Sequence, residues 1–301
     1  MNEMETGTIQ EPLLSPDFLE KLEHLRLVAR KITLGTTKGE RRSRRRGSSV
    51  EFADYRDYVR GDDLRFLDWN IYGRLDRLFI KLFHEEEDLH VYVLLDRSRS
   101  MDYGEPNKFL QARRFAAALA YIALMGMDRV GIGALSMGRF EWFRPTRGPG
   151  QIAKIIRFLE PMEAVGETHL EEGTLQFRVR QTRPGIILLV SDFFDPHGYE
   201  ESLRILSQGK NEVFAVQILS PDEMDPDLMG ALRLLDLETN EPVEISVSGE
   251  LIRIYRNRLA AYEQQIGQFC ARRGIHHLVI RSDADLAGVI SASFRKLGLV
   301  K

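Results

Sequence analysis

The sequence predicts an α/β fold, a mainly parallel sheet flanked by helices, and three observations carry that prediction. Short β-branched and apolar runs recur at Val91–Leu95, Gly185–Val190, Glu212–Leu219 and Ile275–Ile280. Amphipathic stretches of helical length separate them. The run Ile186–Val190 has no polar face, which marks a strand covered on both sides. Two regions are expected: residues 1–86, a helix, a basic loop and a β-rich segment, and residues 87–301, the α/β domain with a β-ribbon inserted near 231–248.

Taken in order, Met1–Pro12 is polar and reads as disordered. Pro16–Ile32 repeats Phe18, Leu19, Leu22 and Leu25 near helical spacing, with Ser15 or Asp17 as its cap. Leu34–Ser49 holds the arginine run Arg41–Arg46. It reads as a solvated loop, because the chain is slightly acidic overall and no aromatic residues interleave the arginines. Val50–Lys81 mixes aromatic residues with Arg56, Arg60, Asp62, Asp63, Arg65 and Asp68. Short strands and turns held by arginine–carboxylate pairs are expected there, with Gly61 in a tight turn.

Beyond Leu89, helices are predicted at Pro106–Gly126, Gly150–Leu159, Thr168–Arg180, His197–Ser207, Glu250–Arg273 and Ala284–Leu297. Asp128–Leu135 and Arg139–Pro145 are strands joined by a short turn, hence antiparallel. Alternating apolar positions around DLETNEP, within Ala231–Ser248, give the hairpin of the ribbon.

Composition removes several classes of function. Of 301 residues 43% are hydrophobic and 29% charged, with a formal net charge of -3. That excludes a global basic field for nucleic acid or membrane. The single cysteine, Cys270, excludes an intrachain disulfide or a cysteine-clustered metal site, and reads as a small buried hydrophobe. No secretory leader and no apolar run of membrane-spanning length is present, so a cytoplasmic protein is expected.

The chemistry concentrates at the ends of two strands. Val91–Leu95 runs into Asp96, followed by Ser98 and Ser100: a carboxylate and two hydroxyls, all hard oxygen donors, at a strand's carboxyl end. Thr168 follows Gly166-Glu167 just before a helix, where it is either a ligand or an N-cap. Asp192 follows the buried strand Ile186–Val190 through Ser191, with Asp195 nearby as a supporting or turn residue.

Asp96, Ser98, Ser100, Thr168 and Asp192, in that order, resemble the metal-ion-dependent adhesion site of von Willebrand factor A-type domains. The resemblance implies a von Willebrand A-like, Rossmann-like fold and a bound Mg²⁺, or Mn²⁺. Hydroxyls then bind the ion, Asp96 and Asp192 act through waters, and one position stays open for a partner's carboxylate. A wider stretch, FADYRDYVRGDDLRFLDWNIYGRLDRLFIKLFHEEE followed by VYVLLDRSRSM, with DLETNEP and IYRNRLAAYEQQI later, resembles the bacterial domain of unknown function fifty-eight. That resemblance implies an adaptor without enzymatic activity, working with a MoxR-type AAA+ ATPase in maturation of, or metal insertion into, a client protein. The client would offer the acidic residue, and no membrane anchoring is expected.

Two alternatives stand beside it. Asp96 is placed as a phosphohydrolase nucleophile would be, although such enzymes usually carry a second Asp where this chain has Ser98. Nucleic-acid binding through Arg41–Arg46 is the other. None of the seven histidines has a triad context, and there is no G-x-x-x-x-G-K phosphate loop.

Overall fold

Every residue from His90 to Asp96 is buried, and this strand lies in the middle of the largest sheet. The computed structural model describes residues 12–23, 25, 50–85, 89–136, 139–235 and 242–295. The basic run Arg41–Arg46, the first eleven residues and most of the DLETNEP turn lie outside them. The chain divides into two units, Met1–Thr33 with Leu89–Lys301, and Leu34–Asp88.

In the large unit α1 (Pro16–Leu22) starts on Ser15, whose hydroxyl accepts the Phe18 N–H at 3.2 Å. The sequence pattern places this helix with residues 1–86. Instead Leu13, Leu22 and Leu25 join the core of the large unit, where α1 has the apolar surface that covers it.

The small unit pairs β1 (Val50–Asp57) antiparallel with β2 (Phe79–Glu85), with α2 (Trp69–Leu75) between them. The expected arginine–carboxylate pairs are present: Arg56 grips Asp62 through two bonds of 2.8 and 2.7 Å, and Arg65 pairs with Asp63. The sequence pattern predicts turns rather than the helix α2, since WNIYGRL carries a glycine and no clear apolar stripe. It forms because Asp68 caps it, its Oδ1 accepting from Asn70 N–H at 2.9 Å and Ile71 N–H at 3.2 Å.

The large unit continues through β3 (His90–Asp96), α3 (Lys108–Met125), β4 (Arg129–Ser136) and β5 (Arg139–Arg147). Then come α4 (Ile152–Leu159), α5 (Leu170–Arg180), β6 (Ile186–Ser191), α6 (Glu200–Leu206), β7 (Glu212–Leu219) and α7 (Pro221–Met224). The ribbon β8 (Gly230–Leu235) and β9 (Pro242–Val247) precedes α8 (Gly249–Arg273), β10 (His276–Arg281) and α9 (Leu286–Val289). The six-stranded sheet runs β10-β7-β6-β3-β4-β5, parallel except that β5 is antiparallel to β4.

Because strand side chains alternate between faces, β3 feeds two cores. Val91, Val93 and Leu95 pack with Phe115 and Leu119 of α3. Tyr92 and Leu94 join Phe177, Leu203, Ile266 and Cys270 on the other face. Burial pushes the Cys270 thiol up to about 12, in keeping with its reading as a small hydrophobe. Among the described residues no helix is long and apolar enough to cross a membrane.

This strand order creates a switch point. From β3 the chain builds outward to β4 and β5, then returns to place β6 on the opposite side of β3. The crevice outside the carboxyl ends of two such strands is where open α/β sheets bind ligands.

Candidate metal centre

The crevice between β3 and β6 is lined by the residues that end those strands. Leu95 is paired with Val190, which brings Asp96 level with Ser191. The Asp96 side chain is buried and both its oxygens are engaged. Oδ2 accepts from Ser191 Oγ at 2.6 Å, and Oδ1 accepts the Ser98 N–H at 2.9 Å. That last bond turns the chain so that the Ser98 and Ser100 hydroxyls lie 3.0 Å apart. Neighbouring oxygens around an octahedral Mg²⁺ ligated at ~2.0–2.1 Å are separated by ~2.9 Å. The two hydroxyls thus already have the spacing of adjacent ligands. Among the described residues no group of three or more His, Cys, Asp or Glu is arranged to hold a metal ion. A cation here would be held by hydroxyls, with carboxylates behind them.

Thr168 comes from a second loop that is zipped to the first. Val165 N–H donates to the Arg97 carbonyl at 2.6 Å, and Arg99 N–H donates to the Gly166 carbonyl at 2.9 Å. Gly166 has φ of 80°, in the left-handed region where glycine is favoured. Two residues on, Thr168 is buried. The N-cap position of α5 is taken by His169, not Thr168. Arg97 is held by the scaffold: its guanidinium pairs with Glu141 and donates to the Glu163 carbonyl at 3.1 Å. Arg99 is exposed. Asp195 joins two turns, accepting from Leu170 N–H and His197 N–H, each at 2.8 Å, beside the stacked rings of His169 and His197.

Asp192 is fully buried beyond β6. Its Oδ1 accepts the Phe194 N–H at 3.0 Å, and its carbonyl accepts from Gln217 Nε2 at 3.0 Å. Its Oδ2 meets Lys108 Nζ at 2.8 Å, and the same ammonium reaches Glu223 Oε1 at 2.6 Å. Burial works against the charged Lys108, yet Asp192 and then Glu223 outweigh it, so its pKa is raised. Asp96 is pushed up from 3.8 to about 7, first by burial and then by the charge of Asp192. Asp192 and Glu223 therefore share one ammonium, and Asp96 lies within reach of the Asp192 charge. With both Asp side chains already occupied by donors, any direct ligands to a cation here would come from the hydroxyls. The Asp96 carboxylate is enclosed and doubly hydrogen-bonded, and does not offer an open face for nucleophilic attack.

Residues 54–266 match the family model described as "Protein of unknown function DUF58". The chain belongs to the DUF58 family. It is 24% identical over 291 residues to the uncharacterized protein Rv1480 of Mycobacterium tuberculosis, covering 94% of this chain and 90% of that protein. Among solved structures it is similar to the conserved hypothetical protein BatB from Bacteroides thetaiotaomicron. That match has a TM-score of 0.45 and 15% identity, over 70% of this chain and 98% of BatB. It is also similar to the SpRpn10 VWA domain, with a TM-score of 0.41 and 10% identity, over 68% of this chain and 94% of that one.

Three residues of this DUF58 chain that shape the crevice were not singled out from sequence: Lys108, Ser191 and Glu223. Lys108 did leave a signal. It opens α3, where the positive end of the helix dipole disfavours a cation, so a lysine there needs a carboxylate to meet it. Glu223 left a weaker one, as the last residue of an S-x-x-E capping box in which Ser220 Oγ accepts the Glu223 N–H at 3.1 Å.

Proposed function

We propose that this DUF58 chain is a protein-interaction module without enzymatic activity, in which Ser98, Ser100 and Thr168 hold Mg²⁺ and a partner's Asp or Glu completes the coordination. The observation that carries this reading is the pair of hydroxyls 3.0 Å apart at the β3–β6 crevice, backed by the enclosed carboxylates of Asp96 and Asp192. Hydroxyl ligands leave most of the ion's charge uncompensated, so an incoming carboxylate is attracted strongly. The bound ion would supply that charge. The chain's own residues orient the hydroxyls, through the Ser98 N–H bond to Asp96 and the zipper between residues 97–99 and 165–166. The family resemblance supports a MoxR-type AAA+ ATPase as the working partner, with a client under maturation or metal insertion, in the cytoplasm.

The test is Ser98→Ala combined with Ser100→Ala. Mg²⁺ binding measured by calorimetry, and co-purification of a MoxR-type ATPase or client in Mg²⁺ but not in EDTA, are both expected to be lost while the melting temperature holds. A double variant that captures its partner as the natural chain does, with and without EDTA, would show the reading to be wrong.

A further inference from the structure

Beside the crevice lies a groove of about 660 Å³ that the metal reading does not use. Ser100 belongs to both: its hydroxyl pairs with Ser98 in the crevice, and it is one of the residues lining the groove. The rest of the lining is largely apolar, with Tyr103, Phe194, Leu228 just ahead of the ribbon, Leu234 and Ile245 from the ribbon, and Tyr255 from α8. Leu228 and Leu234 are 42% and 41% exposed, and Tyr255 is 38% exposed, which is costly apolar surface to leave open to water.

The groove is built, not incidental. The Tyr255 hydroxyl donates to the Glu223 carbonyl at 2.7 Å, fixing α8 against α7. Glu223 takes the Lys108 ammonium, whose other partner is Asp192, so one buried cation braces the groove wall and the crevice together. Lys108 also lies over the rings of Tyr103 and Phe194, 5.9 and 5.8 Å from their centroids. Among the lining residues is the exposed Asp222, which repels a second acidic group and suits a basic one.

We propose that groove and crevice form one two-part site for an extended peptide segment of a partner protein, an acidic residue with large apolar side chains within a few positions of it. The acid reaches the metal, the apolar side chains fill the groove, and a basic residue of the same segment meets Asp222. The first of these contacts rests on the metal reading above. The groove supplies what a lone carboxylate cannot, namely a choice among the many acidic residues any protein exposes.

The experiment pans a displayed library of random decapeptides against the full chain in MgCl₂, then measures the selected peptides, fluorescently labelled, by anisotropy. The expected winners carry Asp or Glu with Leu, Ile, Phe or Met close by. Leu228→Ser and Leu234→Ser are expected to weaken binding roughly tenfold each, leaving the melting temperature and calorimetric Mg²⁺ binding unchanged. EDTA, or Ser98→Ala with Ser100→Ala, is expected to abolish it. If acidic peptides bind and respond to EDTA while ignoring both leucine variants, the groove proposal is overturned and the metal reading stands. If peptides need the leucines but are indifferent to EDTA and to the serine variant, the metal reading falls and the two-part site with it. Self-association lost in the leucine variants on sedimentation would make a second copy the occupant, and a library yielding no binder above background would leave the groove without a peptide. Either result overturns the proposal.

Discussion

Lys108 sets the electrostatics of the crevice, and removing it exposes what it neutralises. Lys108→Ala leaves Asp192 and Glu223 facing each other in a buried site without a counter-charge. Breaking a buried pair in this way costs about 3–5 kcal/mol, to be read as a lowered urea midpoint at unchanged slope. A loss below about 1 kcal/mol would mean that the three groups behave as exposed ion pairs do. Asp96 makes a second prediction, one of pH. Its pKa is raised from 3.8 to about 7 on folding, so between those values the folded chain holds a proton that the unfolded chain has released. Its contribution to stability is present in full below 3.8 and is lost as pH rises through about 7. The metal-free protein should therefore lose melting temperature from pH 5 toward pH 7.5 relative to Asp96→Asn, and saturating Mg²⁺ should flatten the difference. Parallel pH profiles for the two proteins would remove Asp96 as the titrating group.

At the level of elements, strands differ in how they are protected. β3, β6 and β7 are buried along their whole length and hydrogen-bonded on both sides, whereas β8 and β9 form a two-stranded ribbon with largely exposed side chains. Two-stranded ribbons are marginally stable by themselves. Hydrogen exchange followed by mass spectrometry should find β8 and β9 exchanging orders of magnitude faster than β3 and β6. Equal protection would mean that the ribbon is held by more than its own pairing. The central strands were also the legible ones. Val91–Leu95 and Ile186–Val190 are continuous apolar runs, and a continuous run announces a covered strand whatever surrounds it. The helix Trp69–Leu75 was not legible, because its start depends on the Asp68 cap and its sequence has no stripe for the eye to follow.

For the molecule as a whole, the order of oxygen donors along the chain was readable because the α/β plan places strand ends in one row. Asp96, Ser98, Ser100 and Asp192 could be assigned to that row from their distance past an apolar run. The contacts that complete the crevice could not be. Lys108 meets Asp192 across 84 positions and Glu223 across 115. Locally the sequence hints at these meetings only through the misfit of a lysine at a helix start and the capping box that ends on Glu223. The packing of α1 was hidden for the same reason, since its apolar face finds its cover beyond residue 89, on the far side of the small unit in the sequence.

The side-by-side placement of β3 and β6 has one more consequence. A polypeptide released from the ribosome short of Ser191 carries the first serine loop and nothing to close it, and a full-length chain with β6 unpaired is no better off. Ser191 reaches Asp96 across 95 positions, so the crevice takes its shape only in a chain whose β6 has been made and has paired with β3.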